Sequence, residues 1–213
     1  ACKPGGTIVL LGPDPKEELG SLYLRLRHAV VHDGATLIEL TPTSTGLTPY
    51  ATHSLRVRPG ETTEVVKAMF GEGGVAPIGG VDPEDAKKAG SLLQTADSVT
   101  VLLGRSSLAE TEGPVIDAAL ALHDRLADVQ FLSLIRRGNI HGAFDMGMAP
   151  NLLPGRTTLT SHQTSIKEIW PTLPTTRGHD AVQIIEAAAE GKIDVLLLLG
   201  ADPLNDFPDK SLA

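Results

Sequence analysis

The sequence has 213 residues, 41% of them hydrophobic, which is enough to bury a core and fits one large or two small domains. A formal net charge of -8, with no concentrated Lys/Arg block, argues against a nucleic-acid groove. The single cysteine, Cys2, cannot by itself build a disulfide framework, a zinc cage or an iron-sulfur site, and no metal site is expected.

In chain order, the opening ACKPGG has no charged-then-apolar signal pattern, and the lack of an initiating Met just before a strand reads as a piece of a longer chain. Short β-rich runs bounded by Gly or Pro predict strands at Thr7–Leu11, Thr36–Leu40, Leu55–Arg58, Ser98–Leu103, Val129–Ile135 and Asp194–Leu199. Several are apolar throughout, as strands covered on both faces are. Between them, Leu19, Leu22, Leu26 and Val30 share one helical face, as do Val115, Ala119, Leu122 and Leu126, and Val182, Ile185 and Ala189. Asp82 before Pro83 is a helix start, and Gly34 a helix stop. The stretch Gly71 to Gly80 reads as a loop, and Gly138 to Gly178 as a long ordered loop over a sheet edge. This alternation predicts an α/β fold of βαβ units with mostly parallel sheets. The longest apolar run, Val195–Leu199, is far too short to cross a bilayer, so no membrane insertion is expected.

Ligands in such folds gather at the carboxyl ends of strands. Two predicted strands run there into Gly-x-Asp-Pro turns, Gly12 with Asp14 and Gly200 with Asp202. Gly permits the tight turn, Pro fixes the following dihedral, and Asp can accept amide hydrogen bonds or hold a ribose or amino group. The bland alternative is a turn stabilised by its own Asp. Asp repels phosphate, and no Gly-Lys-Ser/Thr follows either strand, so a triphosphate loop is excluded. Gly71, Gly73 and Ala76 match Gly-x-Gly-x-x-Gly/Ala, yet a helix precedes them and Pro77 follows, so the match is accidental. His28 and His32 share a helix without the Glu or third ligand of a hydrolytic zinc site. No Gly-x-Ser-x-Gly elbow or cysteine-base pair offers a nucleophile, so no catalytic residue is expected. The stretch Arg136 to Arg156, with Asn139, His141 and Asp145 among glycines after a strand, reads either as a binding surface or as a self-bonded loop.

Within that stretch, GNIHGAFDMGMAPNLLPG resembles the Asn-x-x-Gly-Ala-x-Asp-Met-Gly-x-x-Pro segment of the molybdopterin oxidoreductase superfamily. LRHAVVHDGATLIELTP is similar to its helix-Gly-strand-Asp-Pro-Arg element, LRVRPGETTEVVKAM to its Arg-Pro-Gly-Thr-Asp segment, and GKIDVLLLLGADPLND to its late strand. These pieces cover nearly the whole chain in order. LLGRSSLAE and the Arg136–Arg156 stretch look most like the large G subunit of bacterial NADH:quinone oxidoreductase.

The resemblance implies two Rossmann-like, mostly parallel sheets with flanking helices, the first domain over residues 1–108 and the second over 109–213. It implies a scaffold region of the G subunit, without cofactor of its own, iron-sulfur clusters being expected upstream. Other peripheral-arm subunits would be its partners, on the cytoplasmic side of the bacterial membrane. Thr41 and Thr43 stand where the family pattern has the Asp and Arg of Asp-Pro-Arg, which removes a carboxylate and a cation from the expected dinucleotide site. Asp14, Glu17 and Glu18 add negative charge at the first turn, unfavourable for a diphosphate. The alternative is a catalytic molybdopterin guanine dinucleotide enzyme such as a formate dehydrogenase, with Gly12, Asp14, Asn139, Asp145, Gly200 and Asp202 on the cofactor. A third reading is a free-standing nucleotide-binding module.

Overall fold

The computed structural model describes residues 2–72, 76–105, 113–135, 138–161, 164–207 and 209–213. The chain divides into two compact units, Ala1–Arg136 and Arg137–Ala213.

The first unit is built on β1 (Thr7–Leu11), β2 (Thr36–Thr41), β3 (His53–Arg56), β4 (Val99–Leu103) and β5 (Val129–Ser133). They form one sheet in the order β3-β2-β1-β4-β5, every pairing parallel. All five residues of β1 are buried, the pattern of a central strand covered on both faces. The alternating side chains divide the core accordingly. Val9, Leu11, Ile38, Leu40, Val99 and Val101 pack with α3 (Thr62–Met69), α4 (Pro83–Gln94) and α5 (Gly113–His123). On the opposite face, Ile8, Leu10, Leu37 and Leu102 pack with Leu26 and Ala29 of α2 (Gly20–His32) and with Leu47.

Local chemistry sets the ends of these elements. The Asp82 carboxylate accepts the Glu84 amide at 2.8 Å and starts α4 with Pro83 in its first turn. After α2, Gly34 adopts φ +68°, a left-handed stop that a Cβ would strain. Strand β3 begins two positions earlier than the apolar pattern indicates, where His53 pairs with Ile38 of β2, and it ends two positions earlier, Arg58 N–H donating instead to Gly79 O at 2.8 Å. Helix α4 approaches α3 so closely that a Cβ on Gly90 would lie 1.8 Å from Met69 O. The domain boundary expected at 108/109 falls outside the described residues; α5 and β5 beyond it belong to the first unit because β5 pairs with β4. Gly73 of the accidental glycine pattern also lies outside them, as do Ser106–Glu110 of the LLGRSSLAE segment.

The second unit contains α6 (Ile140–Asp145), β6 (Leu152–Leu153) paired antiparallel with β7 (Thr157–Thr158), α7 (Thr164–Ile169), α8 (Ala181–Ala189) and α9 (Pro203–Asp206). The region expected to be one long loop thus carries short elements of its own. A capping box starts α8: Asp180 accepts the Gln183 amide at 3.0 Å, and the Gln183 side chain accepts the Asp180 amide at 3.1 Å. Asp194–Leu199, expected to be a strand of a second parallel sheet, is not in a strand. An apolar strand forms only where neighbours satisfy its backbone groups, and among the described residues the second unit has only the two-residue ribbon β6-β7.

Candidate functional site

In the first unit, the strand order reverses between β1 and β4, so the crevice at their carboxyl ends is where an open α/β sheet holds a ligand. Gly12 follows β1, and a Cβ there would meet Leu134 Cδ1 at 3.0 Å and Gly104 N at 3.1 Å. A Cβ on Gly104, after β4, would lie 2.6 Å from Pro13 Cδ. The two turns thus approach each other closely, and a side chain at Gly104 would force Pro13 to shift.

Asp14 caps α1 (Pro15–Glu18). One carboxylate oxygen accepts the Lys16 amide at 2.9 Å, and the other accepts the Gly46 amide at 2.8 Å from the loop after β2. Both oxygens thus serve the backbone, and Asp14 ties two strand-end loops together.

The most elaborate polar arrangement at this edge centres on a residue that no motif marks in the sequence. Glu39, on β2, is fully buried. Its carboxylate accepts from Thr45 Oγ1 at 2.5 Å, Ser54 Oγ at 2.7 Å and Thr48 Oγ1 at 2.9 Å. Arg56 Nη1, from β3, stands 3.4 Å from the same carboxylate. Arg56 also donates to Thr41 Oγ1 at 2.7 Å, Thr43 O at 2.9 Å and Thr48 Oγ1 at 3.1 Å. The ladder explains the assembly: Glu39 lies beside Ser54, and Thr41 beside Arg56, on one face of the sheet. Carboxylate and cation are thus both present where Thr41 and Thr43 imply their loss, and they neutralise each other. The sequence does hold a clue, since a Glu inside an otherwise apolar strand must find donors when buried.

The second-unit residues have local partners. Asn139 precedes α6 at φ 59° and is exposed, without a side-chain capping bond. Asp145, at the end of α6, accepts from Arg156 Nε at 2.6 Å, and Arg156 Nη2 donates to His141 O at 3.2 Å. These bonds tie Arg156 to Asp145 and His141 within the Gly-rich stretch. Gly200 has φ +66° with open space around it, and Asp202 accepts from Asn205 Nδ2 at 2.7 Å before α9. The structure thus gives Asp14, Asp145 and Asp202 separate local partners. His28 Nδ1 sits 3.2 Å from Asp33 Oδ2, and its ring centroid lies 4.8 Å from that of His32 with the planes tilted by 48°. No group of three or more His, Cys, Asp or Glu side chains suited to a metal ion occurs among the described residues.

No protein-family model matches the chain. Curated relatives do. The alpha subunit of NADPH-Fe(3+) oxidoreductase from Geobacter sulfurreducens is 28% identical over 95% of this chain and 28% of its own length. The G subunit of NADH-quinone oxidoreductase is 28% identical in Streptomyces coelicolor, over 97% of this chain and 24% of that protein. In Mycobacterium tuberculosis it is 30% identical, over 95% of this chain and 23% of that protein. Over nearly its whole length the chain is related to these subunits, which belong to the molybdopterin oxidoreductase family. It spans about a quarter of the length of the curated relatives it matches. The α/β fold of the chain is similar to that of a chain of the formyltransferase/hydrolase complex of Methylorubrum extorquens, solved with methylofuran. That match has a TM-score of 0.55 and 13% identity and covers 95% of this chain and 55% of the other.

Proposed function

We propose that the chain is a scaffold region of the G subunit of NADH-quinone oxidoreductase, part of the protein that relays electrons from NADH to quinone, with no catalytic residue of its own. Identity to the G subunit along nearly the whole chain supports the placement. The observation that carries the scaffold reading is the internal commitment of the first unit's strand-end polar groups. Each Asp14 carboxylate oxygen accepts one backbone amide, from Lys16 and from Gly46, and the Glu39 carboxylate is matched by Arg56 and three hydroxyls. A dinucleotide carrying a diphosphate needs free amides or unpaired cations at that edge. Asp14 and the Glu39–Arg56 pair offer neither. Electron relay then falls to iron-sulfur clusters elsewhere in the parent subunit, with the chain contacting other peripheral-arm subunits on the cytoplasmic face of the membrane. No helix among the described residues is long and apolar enough to cross a membrane.

Affinity purification of the tagged parent subunit from its native cells tests this reading. A co-purifying assembly that oxidises NADH and reduces a quinone supports it. The comparable identity to the Geobacter alpha subunit favours a second reading, an NADPH-dependent assembly reducing Fe(3+). Preferential NADPH oxidation with Fe(3+) reduction and no quinone activity would select that reading instead.

A further inference from the structure

Helix α2 carries His28 and His32 one turn apart at its carboxyl end. Residues four apart on a helix are neighbours on its surface. The inner side of α2 is fixed by Leu26 and Ala29, both buried against the sheet, so the core holds in place the backbone that spaces the two imidazoles. The His28 side chain is 64% exposed, and His32 is exposed as well. Their ring centroids lie 4.8 Å apart with the planes tilted by 48°, close enough for one ion to reach both rings.

Asp33 supplies an orienting partner. Its Oδ2 lies 3.2 Å from His28 Nδ1. A carboxylate can only accept, so a neutral His28 in this contact carries its proton on Nδ1 and leaves the Nε2 lone pair free for a metal, the arrangement that commonly supports a metal-bound histidine. The last carbonyls of a helix add partial negative charge, which favours a cation at this end. Among the described residues no group of three or more ligating side chains forms, so the pair supplies two donors and leaves the other coordination positions to water. Imidazole donors select late first-row dications over Mg2+ and Ca2+, which prefer oxygen.

We propose that His28 and His32 together chelate one divalent cation of the Ni2+, Cu2+ or Zn2+ class, with Asp33 as the positioning residue for His28. This binding site lies on the outer side of α2 and is independent of which electron donor or acceptor the parent subunit serves.

The test is carbethoxylation of histidine by diethyl pyrocarbonate, read residue by residue by mass spectrometry on the full-length parent subunit, with Ni2+ as the probe. Both rings are expected to react in the metal-free protein, and Ni2+ is expected to suppress both with one shared half-saturating concentration, whereas Mg2+ leaves both reactive. Failure of either ring to react without metal, protection of only one ring, or equal protection by Mg2+ overturns the proposal. This arm uses the unaltered sequence, so it stands whether or not a variant folds. In a His28→Gln variant, the Ni2+ concentration that half-protects the parent should leave His32 reactive; undiminished protection of His32 overturns the chelate. Asp33→Ala is expected to raise the half-saturating Ni2+ concentration about tenfold, and an unchanged value overturns the positioning role.

Discussion

Arg56 Nη1 stands 3.4 Å from the carboxylate of Glu39, a cation one strand away from a fully buried anion. Breaking a fully buried pair typically costs about 3–5 kcal/mol, because the remaining charge is stranded. The Arg56 side chain is 35% exposed and three hydroxyls still serve Glu39, so Arg56→Ala is expected to cost less, about 2 kcal/mol. Adding Glu39→Gln to that variant removes the stranded charge and should restore about 1 kcal/mol. Urea unfolding monitored by far-ultraviolet circular dichroism checks both values. An Arg56→Ala variant as stable as the parent would contradict the pairing.

Asp14 bridges two loops through backbone amides, so its loss should be felt as a structural change. Asp14→Ala removes the bonds to Lys16 and Gly46 and should cost about 1–2 kcal/mol. Asp14→Asn, which keeps one acceptor oxygen, should cost roughly half as much. Equal melting curves for all three proteins would show that the bridge contributes nothing.

Two glycines separate crowding from backbone conformation. Gly90→Ala places a methyl against Met69 O, which a helix backbone cannot avoid without shifting, and should destabilise by about 3 kcal/mol. Gly34→Ala meets no neighbour within 4 Å and suffers only from φ +68°, a cost of about 1 kcal/mol. Reversed magnitudes in chemical denaturation would place the tight contact elsewhere.

At the second Gly-x-Asp-Pro turn, the same distinction predicts that Gly200→Val is the more harmful change. A β-branched residue is strained at φ +66°, by about 2 kcal/mol, whereas Asp202→Ala loses one exposed bond to Asn205, worth about 0.5 kcal/mol. Trp170, the single tryptophan, lies in the same unit and serves as a fluorescence probe in the full-length protein once other tryptophans there are replaced. Matching melting temperatures for the two variants would contradict the turn geometry.

Much of the first unit is legible in the sequence for physical reasons. Runs such as Thr7–Leu11 are apolar on both faces, and Asp82-Pro83 starts α4 through a cap whose partners lie within the next two residues. Tertiary register is harder to see. Glu39 becomes important only when parallel pairing puts Ser54 and Arg56 beside it, a relationship between residues far apart in sequence. The extent of the first unit is hidden for the same reason, because nothing local says that Val129–Ser133 joins β4. Val195–Leu199 has the composition of a strand, but a strand is defined by its neighbours, which the described residues do not provide. Of the candidate residues, Asp14 and Asp145 are polar anchors, yet each is bound to this chain's own groups, Asp14 to the amides of Lys16 and Gly46 and Asp145 to Arg156.

The most direct test of the scaffold account is the molybdenum and released-pterin content of the intact parent subunit, purified from its native cells. The account predicts neither in stoichiometric amount, with iron and sulfide present from clusters outside this region. Stoichiometric molybdenum together with a pterin dinucleotide would contradict it, and would require the strand-end groups around Asp14 and Glu39 to rearrange or the cofactor to sit elsewhere.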